Sequence, residues 1–311
     1  MMITDNFKSL IELMQTFSDE QKCIDYLESV IWNGNPVSPF DPNSKVYKCK
    51  DNRYRCKNTG KYFNVKTGTI FEGTKIKLQY WFIAIWMYTS HAGGLSSKEL
   101  QRELGVTQKT AWFILQRIRN CCMFDNQSVL RDKVEMDETY VGGKNKNRHA
   151  NKRIKECQGR SCKSKVPVFG MIERNGNVVA RVVSSTTAKD LIPIIVKHVE
   201  SFSTVYTDEW CAYNRLNETY DHHIVRHNKK EYVNGDVYTN NIENFWGNFK
   251  RGIIGVYRVV SPQHLQFYVN EFVFRRNTCK FAVGDRFTYF VENVRNYRLT
   301  YKELIKNARN N

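Results

Sequence analysis

The sequence predicts an α/β protein whose main domain is a mixed sheet with flanking helices, preceded by a small degenerate zinc-ribbon-like module and a helix-turn-helix. Three observations predict it. From residue 134 the hydrophobic periodicity turns from helical to strand-like and yields the order β-β-β-α-β-α-β-α; a hairpin meander followed by alternating elements implies a mixed sheet covered by helices. Between the second and third of these strands lies Asn175-Gly176, a hairpin signal. Residues 239–251 close the order as an amphipathic helix, with Ile242, Phe245, Trp246 and Phe249 at the spacing of a buried stripe.

The bulk numbers bound the partner. Forty-eight Lys and Arg against 31 Asp and Glu leave a formal charge of +17 over 311 residues, an excess that points to a polyanion. With 41% hydrophobic and 13% aromatic residues, that charge rides on a folded chain and not on a basic tail. Nine scattered cysteines argue against a disulfide framework. No run of 18 apolar residues exists, and Met1–Glu20 lacks the pattern of a signal peptide, so a cytoplasmic protein with no membrane partner is expected.

The N-terminal elements follow in order. Residues 1–31 read as packing helices. Residues 32–77 turn to short β-like pieces: Val46–Cys49, Tyr54–Cys56 and Lys61–Phe63. Zinc needs about four Cys or His ligands in paired knuckles. Only Cys49 and Cys56 are at hand here, so zinc is not expected. Residues 78–125 hold a nearly all-apolar helix (Leu78–Ser90), a Gly93-Gly94 break, a capping-box start at Ser96-Ser97-Lys98-Glu99, a Gly105-Val106 turn, and a second helix from Thr107 to Asn120. The pattern fits a helix-turn-helix whose second helix offers Gln108, Lys109, Gln116, Arg117 and Arg119 to solvent, with Lys109 and Arg117 as DNA contacts. Three core helices joined by a glycine turn are the competing reading.

The α/β domain is read over 130–280. Its strands are 134–141, 166–173, 178–184, 204–207 and 223–226; its helices are 187–200, 209–216 and the closing helix. Lys144–Lys165 is a basic loop, either a solvated insert or an arm closing on phosphates through Lys144, Arg148 and Arg153. Asp137 lies on the first strand, Asp208 ends the fourth, and Glu243 rides on the closing helix. If the first and fourth strands are neighbours, the three acids converge, and clustered carboxylates call for Mg²⁺ or Mn²⁺. Glu135, Asp137 and Thr139 share one face of their strand and Glu138 points to the other, so Glu138 is the weaker candidate. Asp208 could instead be only a helix cap. Around the acids, His227, Asn240, Lys250 and Arg251 are candidate DNA contacts. A helix over 261–277 and an aromatic, basic tail (281–311) with a further helix at Tyr301–Ala308 end the chain; Glu271 reads as a salt-bridge partner or a reserve acid.

Met136-Asp137-Glu138-Thr139-Tyr140-Val141-Gly142-Gly143, Tyr206-Thr207-Asp208 and Thr239-Asn240-Asn241-Ile242-Glu243-Asn244-Phe245-Trp246 with Lys250-Arg251-Gly252 resemble the three blocks of bacterial insertion-sequence DDE transposases with an ISXO-like, Merlin-related integrase domain. Ser261-Pro262-Gln263-His264-Leu265 and the stretches Glu271-Phe272 and Arg276-Asn277 are similar to the segment that follows. The 34 residues between Asp208 and Glu243 suit the spacing of the second and third acids in such enzymes. The resemblance implies a ribonuclease-H-like fold and Mg²⁺-dependent nicking and strand transfer. Its implied partners are double-stranded DNA, both terminal inverted repeats and target, with a homo-oligomer pairing the ends of an element on a bacterial nucleoid. In many relatives the N-terminal module is a zinc ribbon, and this sequence departs there. A nuclease or a DNA-binding protein on the same fold would share the acids but lack strand transfer.

Overall fold

The computed structural model describes residues 7–143, 147, 149–154, 165–225 and 238–306. They fall into two units, one made of Met1–Cys122 with Lys280–Asn311 and the other of Met123–Cys279.

In the first unit the helices α1 (Leu10–Thr16) and α2 (Glu20–Trp32) start on Ser9 and Asp19, whose side chains accept from Glu12 N and Lys22 N. A three-stranded antiparallel ribbon follows, β1 (Val46–Lys48), β2 (Tyr54–Cys56) and β3 (Tyr62–Phe63). Among the described residues no group of three or more His, Cys, Asp or Glu ligand atoms gathers on it. Burial raises the Cys56 thiol, but hydrogen bonds to Ser38, Ser44 and Thr59 outweigh it and hold the thiol at about 6.

The core of this unit is α3 (Leu78–Ser90), apolar over most of its surface because most of it is covered, with Tyr80 left exposed. Phe82 meets Phe17 at 4.8 Å and Phe287 at 5.6 Å between ring centroids. Phe287 belongs to α9 (Val283–Glu292), a helix that the sequence reading left inside a tail, although Phe287, Phe290 and Val291 carry its buried stripe. The tail helix α10 spans Tyr301–Lys306. The helices α4 (Ser97–Leu104) and α5 (Gln108–Cys121) are joined through Gly105 at φ +62, a left-handed turn that glycine adopts without strain.

The α5 helix corrects the sequence reading. Gln116, Arg117 and Arg119, expected in solvent, are buried. Arg117 donates from Nε to the Leu299 carbonyl (2.8 Å) and from Nη2 to the Glu72 carbonyl (2.7 Å), and its guanidinium lies over the Phe113 ring. So placed, it cannot reach a DNA phosphate. Lys109 remains exposed, with its ammonium 4.8 Å from the centre of the Tyr301 ring.

The second unit is built on a five-stranded sheet. Its strands are β4 (Lys133–Val141), β5 (Val166–Glu173), β6 (Val178–Val182), β7 (Thr204–Thr207) and β8 (Asp221–Ile224), in the spatial order β6-β5-β4-β7-β8. The first three are antiparallel neighbours, while β7 and β8 join in parallel, so the sheet is mixed as expected. One face packs on α6 (Ala188–His198) around Met136, Phe169, Leu191 and Val205. The other packs on α7 (Asn240–Gly252) and α8 (Leu265–Asn277) around Ile172, Trp246, Phe249 and Val269. At the β6 edge, the N–H groups of Val178, Ala180 and Val182 donate to the side-chain amides of Asn277, Asn126 and Gln266, which cover a row that would otherwise template pairing.

Residues 209–216 do not form the expected helix. They make two short 3-10 turns, Cys211–Tyr213 and Leu216–Glu218, because Asp208 Oδ1 accepts from Trp210 N, Trp210 Nε1 reaches the Thr186 carbonyl, and Tyr213 is drawn to Glu138. Glu271 is fully buried and takes the salt-bridge role: it accepts from Arg275 at 2.7 Å and from the Tyr257 hydroxyl at 2.6 Å. Among the described residues no helix is long and apolar enough to cross a membrane.

Candidate active site

The site forms where β4 outruns β7. Their parallel pairing covers Lys133–Glu135 against Thr204–Tyr206, after which β7 ends and the chain turns off at Asp208. Beyond Glu135 the edge of β4 toward β7 is therefore open, and Asp137 and Glu138 lie at the level of Asp208. Each of the three offers one carboxylate oxygen, and these oxygens lie within 4.8 Å of one another. The first and fourth strands of the domain are thus neighbours, as the convergence of Asp137 and Asp208 required.

Glu138 joins them from the opposite face of the strand. With Val134 and Met136 it belongs to the α6 side, where the buried Tyr213 hydroxyl donates to its Oε1. Sequence reasoning ranked it low because alternation gave it the wrong face; at an open strand end both faces border the same gap. Burial, then the Glu138 carboxylate, push the Tyr213 phenol well above 10, with Asp208 and Asp137 adding to the shift. The phenol therefore stays protonated and works as a donor.

Glu243 lines the same cavity, of about 340 Å³, together with Thr239, Lys165 and Lys250. It is exposed, accepts from Thr239 Oγ1 at 3.4 Å, and lies outside the tight three-acid group. The apolar stripe of α7 aims it there. Trp246 lies on Gly170, the residue paired with Asp137 across β4 and β5, and a Cβ at Gly170 would overlap the indole. Thr139 also lines the cavity, with its hydroxyl buried and without a hydrogen-bond partner among the described residues.

Neither Thr239 nor Asn240 caps α7 through its side chain. The cap comes from the sheet: Glu135, fully buried, accepts at Oε2 from the backbone N–H groups of Asn241 (2.9 Å) and Ile242 (3.2 Å). A carboxylate at a helix N-terminus is favoured by the dipole as well as by these bonds.

The other expected DNA contacts divide. Asn240, Lys250 and Arg251 are exposed on α7, and Arg153 is exposed in the basic loop. Lys144, Arg148 and His227 lie outside the described residues.

Residues 129–277 match the model of the ISXO2-like transposase domain. Over nearly its whole length this unit is similar to the ISXO2-like transposase domain. Its bounds agree with those of the second folded unit, and its three acidic blocks are those on which the family resemblance rests. The chain is 28% identical over 276 residues to a protein of the transposable element ISH50 of Halobacterium salinarum, covering 85% of this chain and 92% of that one. A transposase-like protein of Haemophilus influenzae is 29% identical over 96 residues, 31% of this chain and 77% of its own. Among solved structures, the chain shows a distant likeness to the Mos1 strand transfer complex, with 10% identity, a TM-score of 0.27, and coverage of 73% of this chain and 76% of that one.

Proposed function

We propose that this transposase nicks the ends of an insertion sequence and joins the freed 3′-hydroxyl to target DNA by metal-dependent phosphoryl transfer on a ribonuclease-H-like fold. The observation that carries the reading is the convergence of Asp137, Glu138 and Asp208 at one strand end, in a cavity that Glu243 and Lys250 also line. The sheet order, with a meander on one side of β4 and parallel strands on the other, fits that fold.

The residues suit a hard divalent cation. The donors are all oxygens, three carboxylates this close repel one another without a counter-charge, and the Thr139 hydroxyl, without a partner among the described residues, adds a neutral oxygen to the lining. Asp137 and Asp208 would hold Mg²⁺ or Mn²⁺, with Glu138 and Glu243 completing the set. Divalent ions there supply activation of the attacking oxygen and charge stabilisation at the leaving one.

The chain's own groups do the rest. Tyr213 keeps one Glu138 oxygen occupied and so fixes the direction in which the other points. Lys165 and Lys250 bring positive charge to the rim, where a phosphodiester would approach. Asn240 and Arg251 on the exposed face of α7, with Arg153, extend the path for the DNA backbone, and a homo-oligomer would pair the two ends.

Purified protein incubated with labelled element ends should nick one strand at the element boundary with Mg²⁺ or Mn²⁺ and not in chelator. Nicking without joining would favour a nuclease on this fold, and binding without either would reduce the protein to a DNA-binding one.

A further inference from the structure

The three elements that bear the acids meet at a second group of residues, buried beneath the site. Glu135 and Arg174 form an ion pair at 2.8 Å, with the Glu135 side chain fully buried and that of Arg174 nearly so. Glu135 Oε1 also accepts from Asn241 Nδ2 (2.8 Å), so four donors surround the carboxylate: Arg174 Nε, Asn241 Nδ2, and the N–H groups of Asn241 and Ile242. Such a carboxylate has no lone pair directed at the cavity and is not itself a ligand there. Arg174 lies between two rings, 4.1 Å from the centre of Tyr206 and 3.7 Å from that of Tyr238, and its Nη2 donates to the Tyr238 carbonyl at 2.9 Å.

The connections matter because of where each partner stands in the chain. Glu135 is two residues before Asp137 on β4. Tyr206 is two residues before Asp208 on β7. Ile242 directly precedes Glu243, and Tyr238 leads into α7. An apolar stripe holds a helix on a sheet but resists sliding and rolling weakly, since dispersion contacts have little directionality. Hydrogen bonds have direction, and a buried charge-assisted set defines one register.

Resting on the proposed metal-dependent reaction, we infer that the buried Glu135–Arg174 pair is a positioning device, tying β4, β7 and α7 together so that Glu243 is held against Asp137 and Asp208. Glu135→Gln puts an N–H₂ where donors already converge and breaks one side of the tie. Positioning groups behind metal ligands typically cost roughly 10- to 100-fold in metal affinity when changed.

The test is Mn²⁺ binding to the full-length, DNA-free protein, followed by the electron paramagnetic resonance of free Mn²⁺. Glu135→Gln is expected to weaken Mn²⁺ binding about tenfold. It should raise the Mg²⁺ needed for half-maximal nicking by a similar factor and leave metal-free binding to DNA ends unchanged. Excess Mn²⁺ should restore nicking to this variant and not to Asp208→Ala. If Glu135→Gln does not fold, Arg174→Lys, which keeps the charge but loses the planar fork and its stacking, is expected to weaken Mn²⁺ binding severalfold. Mn²⁺ affinity equal to the parent's in a folded variant would overturn the inference while leaving the proposed reaction intact. A parent protein that neither binds Mn²⁺ nor nicks would overturn both.

Discussion

The helices α5 and α7 begin from the same kind of sequence and end in opposite roles. Each carries an apolar stripe beside a face of amides and cations, and each was expected to turn that polar face to DNA. On α7 it does open outward: Glu243 and Lys250 line a cavity and Asn240 and Arg251 are exposed. On α5 the polar residues Gln116, Arg117 and Arg119 point inward, and Arg117 serves as a buried clamp on the carbonyls of Leu299 and Glu72. Polarity on a helix thus marks a need for partners. Whether those partners are solvent, a ligand or distant backbone depends on what the rest of the chain places beside it.

Substitutions on the two helices should separate accordingly. Glu243→Gln is expected to lower nicking by roughly 100- to 1,000-fold, while thermal unfolding shows a stability within about 0.5 kcal/mol of the parent, because the side chain is exposed. Full activity in this variant would return α7 to a packing role. Arg117→Ala should do the reverse: it strands two buried carbonyls and lowers stability by roughly 2–4 kcal/mol in denaturant unfolding, with nicking per folded molecule retained. A selective loss of DNA binding in a folded Arg117→Ala protein would break the comparison.

Smaller effects sharpen it. Gly170→Ala forces the Trp246 indole off β5 and should lower stability by about 1–3 kcal/mol, moving α7 without touching a charged group. Tyr213→Phe removes the donor to Glu138 and is expected to reduce nicking about tenfold, read as a rate at saturating Mg²⁺. Lys109→Ala, on the exposed part of α5, should change stability by less than about 0.5 kcal/mol in thermal unfolding.

Much of the second unit was legible in the sequence, since strands covered by helices on both faces leave long apolar runs bounded by turn residues. The spans of β5 and β7 came out as read, and α7 to within a residue. Asp137 and Asp208 could be brought together only on the condition that the first and fourth strands are neighbours, which the sheet order meets. Two features were hidden for reasons of tertiary structure. Residues 209–216 have helical composition but are bent by the bonds of Asp208, Trp210 and Tyr213. The nearness of Glu138 to Asp137 and Asp208 was hidden because alternation applies inside a sheet and fails where one strand outruns its neighbour; the eight-residue run before Gly142 against the four of 204–207 was the available signal. Glu135 gave no sign of its capping role, since a cap supplied from 106 residues away has no local pattern. In the first unit, the inward face of α5 depends on carbonyls that arrive from Glu72 and Leu299, which no periodicity can foresee.

The central claim is that Asp137, Glu138 and Asp208, with Glu243 beside them, form a divalent-cation site. Anomalous diffraction from crystals soaked in Mn²⁺ tests it most directly. The account predicts a manganese peak in contact with Asp137 and Asp208 that vanishes in Asp208→Ala. A fully occupied peak elsewhere, or none between these carboxylates at saturating Mn²⁺, would contradict it.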